Sequence, residues 1–237
     1  MTRALGDVRE CDVTLGLLGS VETSSAPELA GVVRTGTQVL RARRRAARIA
    51  LGRASEAADV RKLDVRLQRL ILARRESPDE AWRVLLARQL DARARRLRAR
   101  LEHAGVVYVI ESLHAVRITG KRLRYALELV GETHLAPVAG LVRQLTKAQD
   151  VLGHLHDLDV LAAHLRATVA TVPDSTDGTR AVDHLDDGLE RERRSLHAAY
   201  LRRRTALVRL ADVVRDEIVP RVGGAPDGRK AVLANVR

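Results

Sequence analysis

The chain has 237 residues, enough for one large domain or two small ones with a real core. Apolar residues make up 46% and aromatics only 2%, with no Phe, which argues against disorder and against a strand-rich fold. The net charge of +12, carried almost wholly by arginine, points to an anionic partner: nucleic acid, an acidic surface or polyphosphate.

The apolar residues are mostly Ala, Leu and Val at helical spacing, so the predicted fold class is all-α. No stretch approaches 18 apolar residues, so no membrane span is expected, and the first ten residues hold no signal-peptide run. Cys11 is the only cysteine, which fits a reducing, cytoplasmic location.

Taken in order, residues 1–18 read as a helix with Val8, Cys11, Leu15 and Leu18 on one side. Residues 19–27 read as a loop in which Ser24 or Ser25 caps the next helix. That helix spans about 28–53 and is weakened by Gly31 and Gly36. Its second half carries Arg41, Arg44, Arg45 and Arg48 at i, i+3, i+4, i+7, a basic stripe beside Leu40, Ala47 and Leu51. A further amphipathic helix is expected over 56–75. Ser77-Pro78-Asp79-Glu80 then forms a capping-box start for a helix running to Glu102, which Ala104-Gly105 ends. A helix over 107–131, a turn to Pro137, and a helix over 137–170 with a bend near Gly153 follow. A loop at 173–179, helices over 180–203 and 204–219, and a Gly/Pro-rich tail at 223–237 complete the reading.

The helix over 107–131 stands out. At about 100° per residue, His114, Arg117, Lys121, Arg124, Tyr125 and Glu128 share one face, and Leu113, Val116, Gly120, Leu123 and Leu127 share the adjoining one. A solvated helix usually mixes its charges; here cations are segregated beside a buried seam, as an anion site requires. An ordinary amphipathic helix with a basic surface is the alternative.

There is also an internal echo. LGDVRECDV at 5–13 matches LGHLHDLDV at 152–160 in Leu5/Leu152, Gly6/Gly153, Asp12/Asp159 and Val13/Val160, with Glu10 against Asp157. The offset of 147 residues implies two related halves, about 1–104 and 105–222, of one domain spanning 1–222.

LHAVRITGKRLRYALEL followed by LTKAQDVLGHLHDLDVLAAHL resembles the second half of a CHAD domain, the conserved histidine α-helical domain. RALGDVRECDV resembles the matching segment of that family's first half, and the likeness extends from Met1 to about 215. The resemblance implies two antiparallel helical bundles about a pseudo-twofold axis, with inorganic polyphosphate bound in a basic groove between them. It implies polyphosphate-binding roles for His114, Arg117, Lys121, Arg124, Tyr125 and Lys147, which Arg122 and the α-helical stripe Arg41, Arg44, Arg45 and Arg48 supplement as candidate binding residues. Asp12, Glu128, Asp157 and Asp159 are expected to orient cations. The family's first His/Arg helix has no counterpart here, so the first half reads as truncated: either the true start lies upstream of Met1, or this copy has lost that helix, which would weaken binding and leave apolar surface for a homodimer to cover.

The cluster His154, His156, Asp157, Asp159 and His164 raises a metal site, but His154 and His156 diverge by about 200° on a helix, so capping and core contacts are preferred. His103, His134, His184 and His197 are expected at the surface. No phosphate loop, HExxH or carboxylate cluster for Mg²⁺ is present, so no catalytic residue, metal or cofactor is assigned. Two rival readings stand: an Arg-rich nucleic-acid binder, and a scaffold targeted to polyphosphate granules.

Overall fold

The computed structural model describes residues 2–24, 30–57, 62, 64–66, 68–69, 79–170 and 176–224. Among these there is no strand. The helices are α1 (Thr2–Ser24), α2 (Ala30–Glu56), α3 (Asp79–Ala104), α4 (Ile110–Glu132), α5 (Ala139–Val169) and α6 (Thr176–Val213). A π-helical turn (Val214–Ile218) then leads into the short α7 (Val219–Val222).

Contacts divide the chain into two compact units, Met1–Gln68 with His154–Ser195, and Arg69–Gly153 with Leu196–Arg237. The first unit is built on α1 and α2. Cys11, Leu18, Val32, Val33 and Leu40 are buried, as the apolar spacing requires. Leu158, Leu161 and Leu165 from the second part of α5 are buried too. The second unit is built on α3 and α4. Leu90, Leu97 and Leu101 of α3 and Leu123, Leu127 and Val130 of α4 are fully enclosed. Each such Leu contributes about 1.5–3 kcal/mol of burial.

Three expectations are corrected. The loop placed at 19–27 is helical as far as Ser24, because Ser20 back-bonds to the Gly16 carbonyl at 3.3 Å instead of breaking the helix. The loop placed at 173–179 gives way to helix from Thr176 onward. The two helices expected over 180–203 and 204–219 are one helix to Val213: Tyr200 before the arginine run and Leu207, Leu210 and Ala211 after it share one buried side, with Arg203 and Arg204 half-buried between them. That helix then changes pitch: Val219 N–H reaches back five residues to the Val214 carbonyl. Pro220 follows immediately and has no N–H with which to continue an α-helical ladder.

Other junctions agree with the sequence. Gly105, at φ +58°, ends α3. After α4, Leu135 N–H donates to Val130 O at 3.2 Å and His134 N–H to Gly131 O at 3.1 Å, a Schellman closure with Pro137 just beyond. His134 occupies the left-handed position of that closure, at φ +54°. The bend expected near Gly153 does not interrupt α5, which runs as one helix from Ala139 to Val169. Of the helix expected over 56–75, residues 62, 64–66 and 68–69 are described and helical. The Ser77-Pro78 cap, residues 173–175 and residues 225–237 of the tail lie outside the described residues.

Candidate anion-binding site

The site begins with the packed side of α4. Leu113, Val116, Gly120, Leu123 and Leu127 are all buried, as predicted, joined by Ala126 and Val130. Gly120 is the closest approach: a Cβ there would stand 3.9 Å from both Leu97 of α3 and Leu145 of α5. Three helices therefore meet at this glycine, which fixes α4 about its own axis.

With the axis fixed, Arg117, Lys121 and Arg124 fall at the edge of the packed face and are half-buried. Their aliphatic stems pack while the charged heads reach solvent. The Arg117 Nε lies 3.9 Å from the Cβ position of Gly153 in α5, so the glycine leaves room for the guanidinium to cross that helix. Tyr125 is exposed and holds two cations over its ring: Lys121 Nζ at 5.6 Å and Arg124 Cζ at 4.9 Å from the centroid. Arg124 also pairs with Glu128 at 3.2 Å. The Arg124 Nε is buried without a hydrogen-bond partner. Arg117, Lys121 and Lys147 have no ion-pair partner among the described residues, and His114 and Lys147 are exposed.

Arg122 stands apart. It lies roughly 140–160° around α4 from Arg117 and Arg124, and lines a different cleft with Gln89, Arg93 and Arg96 of α3 and Thr119 of α4. Sequence reading grouped it with its neighbours in KRLRY, but helical phase separates it from them.

The α2 stripe belongs to the other unit. Arg41, Arg45 and Arg48 are exposed, whereas Arg44 is held by Asp12 at 2.5 Å and Arg43 by Glu10 at 2.9 Å. Asp159 likewise binds Arg193 of α6, at 3.5 Å. The echo in sequence is thus an echo in pairing: the last acid of each LG segment holds an arginine of the following helix. Burial repeats too, at Cys11/Leu158 and Leu18/Leu165, but not at Leu5/Leu152, which are 57% and 3% exposed.

The His/Asp cluster disperses to separate partners. His154 meets Glu192 at 3.1 Å, Asp159 meets Arg193, and His164 Nε2 meets the Gly36 carbonyl at 3.0 Å. Asp157 is half-buried. Among the described residues no three His, Cys, Asp or Glu side chains converge as metal ligands would.

Two arrangements escaped sequence reading. Arg193 is buried and held by Asp159, Asp186 and Glu190, though its sequence context reads as a solvated charge run. His197, expected at the surface, is packed edge-on to Tyr108 at 5.3 Å and stacked near Tyr200 at 6.1 Å. Burial lowers the His197 pKa and raises that of Tyr200, which Arg204 opposes in part. No local signal marks either, because both partners are distant in sequence.

These features define an all-helical, arginine-rich domain with a segregated cationic helix face and almost no aromatic surface. The CHAD domain family model matches residues 1–166, well over half of the chain, and the chain belongs to that family. The match covers the basic helix α4 and both LG segments and ends within α5, short of the span to about 215 that the motifs led us to expect. No curated protein and no solved structure matches the chain. The CHAD domain is a binding domain associated with polyphosphate, not a known catalytic fold. No helix among the described residues is long and apolar enough to cross a membrane.

Proposed function

We propose that this chain binds inorganic polyphosphate through the cationic face of α4, without cleaving it. The observation that carries this reading is the row Arg117, Lys121 and Arg124: half-buried, one turn apart, with the first two lacking any carboxylate partner among the described residues. Cations at this pitch recur about every 5–6 Å along the helix axis. A polymer charged at every phosphoryl unit and without base edges calls for that repetition and not for stacking aromatics. Arg117 and Arg124 grip phosphoryl oxygens bidentately, Lys121 is a compact point charge, and Tyr125 fixes two of the three heads. Lys147 extends the row from α5, and His114 adds a donor at its start. The test is polyphosphate affinity of Arg117→Glu and Lys121→Glu. Each should weaken binding roughly tenfold or more with helicity unchanged; unaltered affinity in both overturns the reading.

The exposed arginines Arg41, Arg45 and Arg48 favour a second reading, contact with a nucleic-acid phosphate backbone. Competition separates the two: under the first reading long-chain polyphosphate displaces RNA readily, and under the second it does not. In cells, the first reading carries the chain to polyphosphate granules.

A further inference from the structure

The cleft between α3 and α4 is a second concentration of positive charge, and it does not depend on the polyphosphate reading. Gln89, Arg93 and Arg96 reach it from α3 at i, i+4, i+7; Thr119 and Arg122 reach it from α4 at i, i+3. All five belong to one unit, so the cleft is built within it.

None of the three arginines has a carboxylate partner among the described residues. Elsewhere on α3 the contrast is plain. Arg95 is paired with Asp91 at 2.9 Å, and Arg98 with Glu102 at 2.9 Å and with Asp212. Three like charges sharing one concavity repel each other, and an anion bound among them relieves that repulsion.

The lining also says what kind of anion. Guanidinium groups only donate, and the Gln89 amide can turn its NH₂ inward. The Thr119 hydroxyl proton is already committed to the Ala115 and Val116 carbonyls, at 2.8 and 3.1 Å. The donors are thus arginine forks and an amide, which suit a tetrahedral oxyanion taken bidentately. The cleft holds about 240 Å³, below the range of drug-sized pockets. That is space for one or two phosphoryl groups, not a folded polymer. Around α4, Thr119 lies about 160° from both Arg117 and Lys121, and Arg122 about 140° from Arg117 and about 100° from Lys121, so a chain following the latter pair runs along a different face from the cleft.

We propose that the α3–α4 cleft is a separate binding site for a compact phosphate anion of about pyrophosphate size. The occupant is either free pyrophosphate or the terminal phosphoryl units of a longer chain.

The test is calorimetric titration of the full chain with pyrophosphate near physiological salt. Arg93→Gln combined with Arg96→Gln should weaken binding roughly tenfold or more. A control double variant removes equal charge elsewhere, Arg88→Gln with Arg209→Gln, and should stay within about twofold. An equal loss in both double variants, or no loss in the first, overturns the proposal. In the wild-type chain, pyrophosphate should shift the Nε–Hε resonances of Arg93, Arg96 and Arg122; their failure to move overturns it whether or not a variant folds. The source follows from competition in the Arg117→Gln, Lys121→Gln background. Displacement of pyrophosphate by long-chain polyphosphate assigns chain ends to the cleft, and persistence of bound pyrophosphate assigns the free anion.

Discussion

His164 Nε2 lies 3.0 Å from the carbonyl oxygen of Gly36, joining α5 to the middle of α2. The contact exists because residue 36 has no side chain. A Cβ there would stand 3.3 Å from His164 Nε2 and 3.4 Å from Thr168 Oγ1. A glycine that reads in sequence as a weakness in the helix is the place where the helix is crossed. Gly36→Val should therefore cost about 2–3 kcal/mol through overpacking and the lost bond. Gly52→Ala, on the same helix with nothing within 4 Å, should stabilise by about 0.5–1 kcal/mol. Urea midpoints measure both, and a destabilising Gly52→Ala or a neutral Gly36→Val contradicts this account.

Arg193 ties Asp159 of α5 to Asp186 and Glu190 of its own helix while itself being only 8% exposed. Removing it strands carboxylates that are partly desolvated, so Arg193→Ala should cost about 3 kcal/mol, near the lower end for broken buried pairs. Burial pushes the Asp186 carboxyl up, but hydrogen bonds from Arg166 and Arg193 outweigh that and hold it below its usual value. A depressed carboxyl stabilises the fold above its unfolded pKa, and that stability is lost as pH falls through the folded value. The chain should thus weaken below about pH 4. Asp186→Asn should flatten the dependence, which thermal melts across the acid range will show.

His197 titrates in the opposite environment. Burial against Tyr108 and Tyr200 disfavours the imidazolium and lowers its pKa, with no carboxylate among the described residues offsetting this. The unfolded chain therefore takes up the proton first, and stability falls as pH drops below about 6.5 toward the folded value. Melting temperature should decline between pH 7.5 and 5.5 in the wild type and less so in His197→Leu. Equal declines in the two would assign the effect to another group.

Binding to the α4 face is ionic and should show it. With three phosphoryl contacts, the logarithm of affinity should fall with the logarithm of salt at a slope near about −2, roughly twentyfold between 50 and 200 mM. Fluorescence anisotropy with labelled polyphosphate measures the slope. A flat response would remove Arg117, Lys121 and Arg124 from the interface.

The sequence by itself determined what rests on local repetition. The near absence of aromatics and the spacing of Leu, Ala and Val made the chain helical, and the same spacing marked the buried side of α4 residue by residue. Phase on one helix also separated Arg117, Lys121 and Arg124 from the core. The tertiary structure alone decided what depends on partners far along the chain. It set Arg193 under three carboxylates, turned Arg122 toward Arg93 and Arg96, covered His197 with two tyrosines, and laid His164 against Gly36. It also carried α1 through Gly19-Ser20 and α6 through its arginine run. Periodicity is a property of a dozen consecutive residues, so it is legible in one dimension; which surface meets which, and which charge is left without a counterion, is fixed only when distant helices pack.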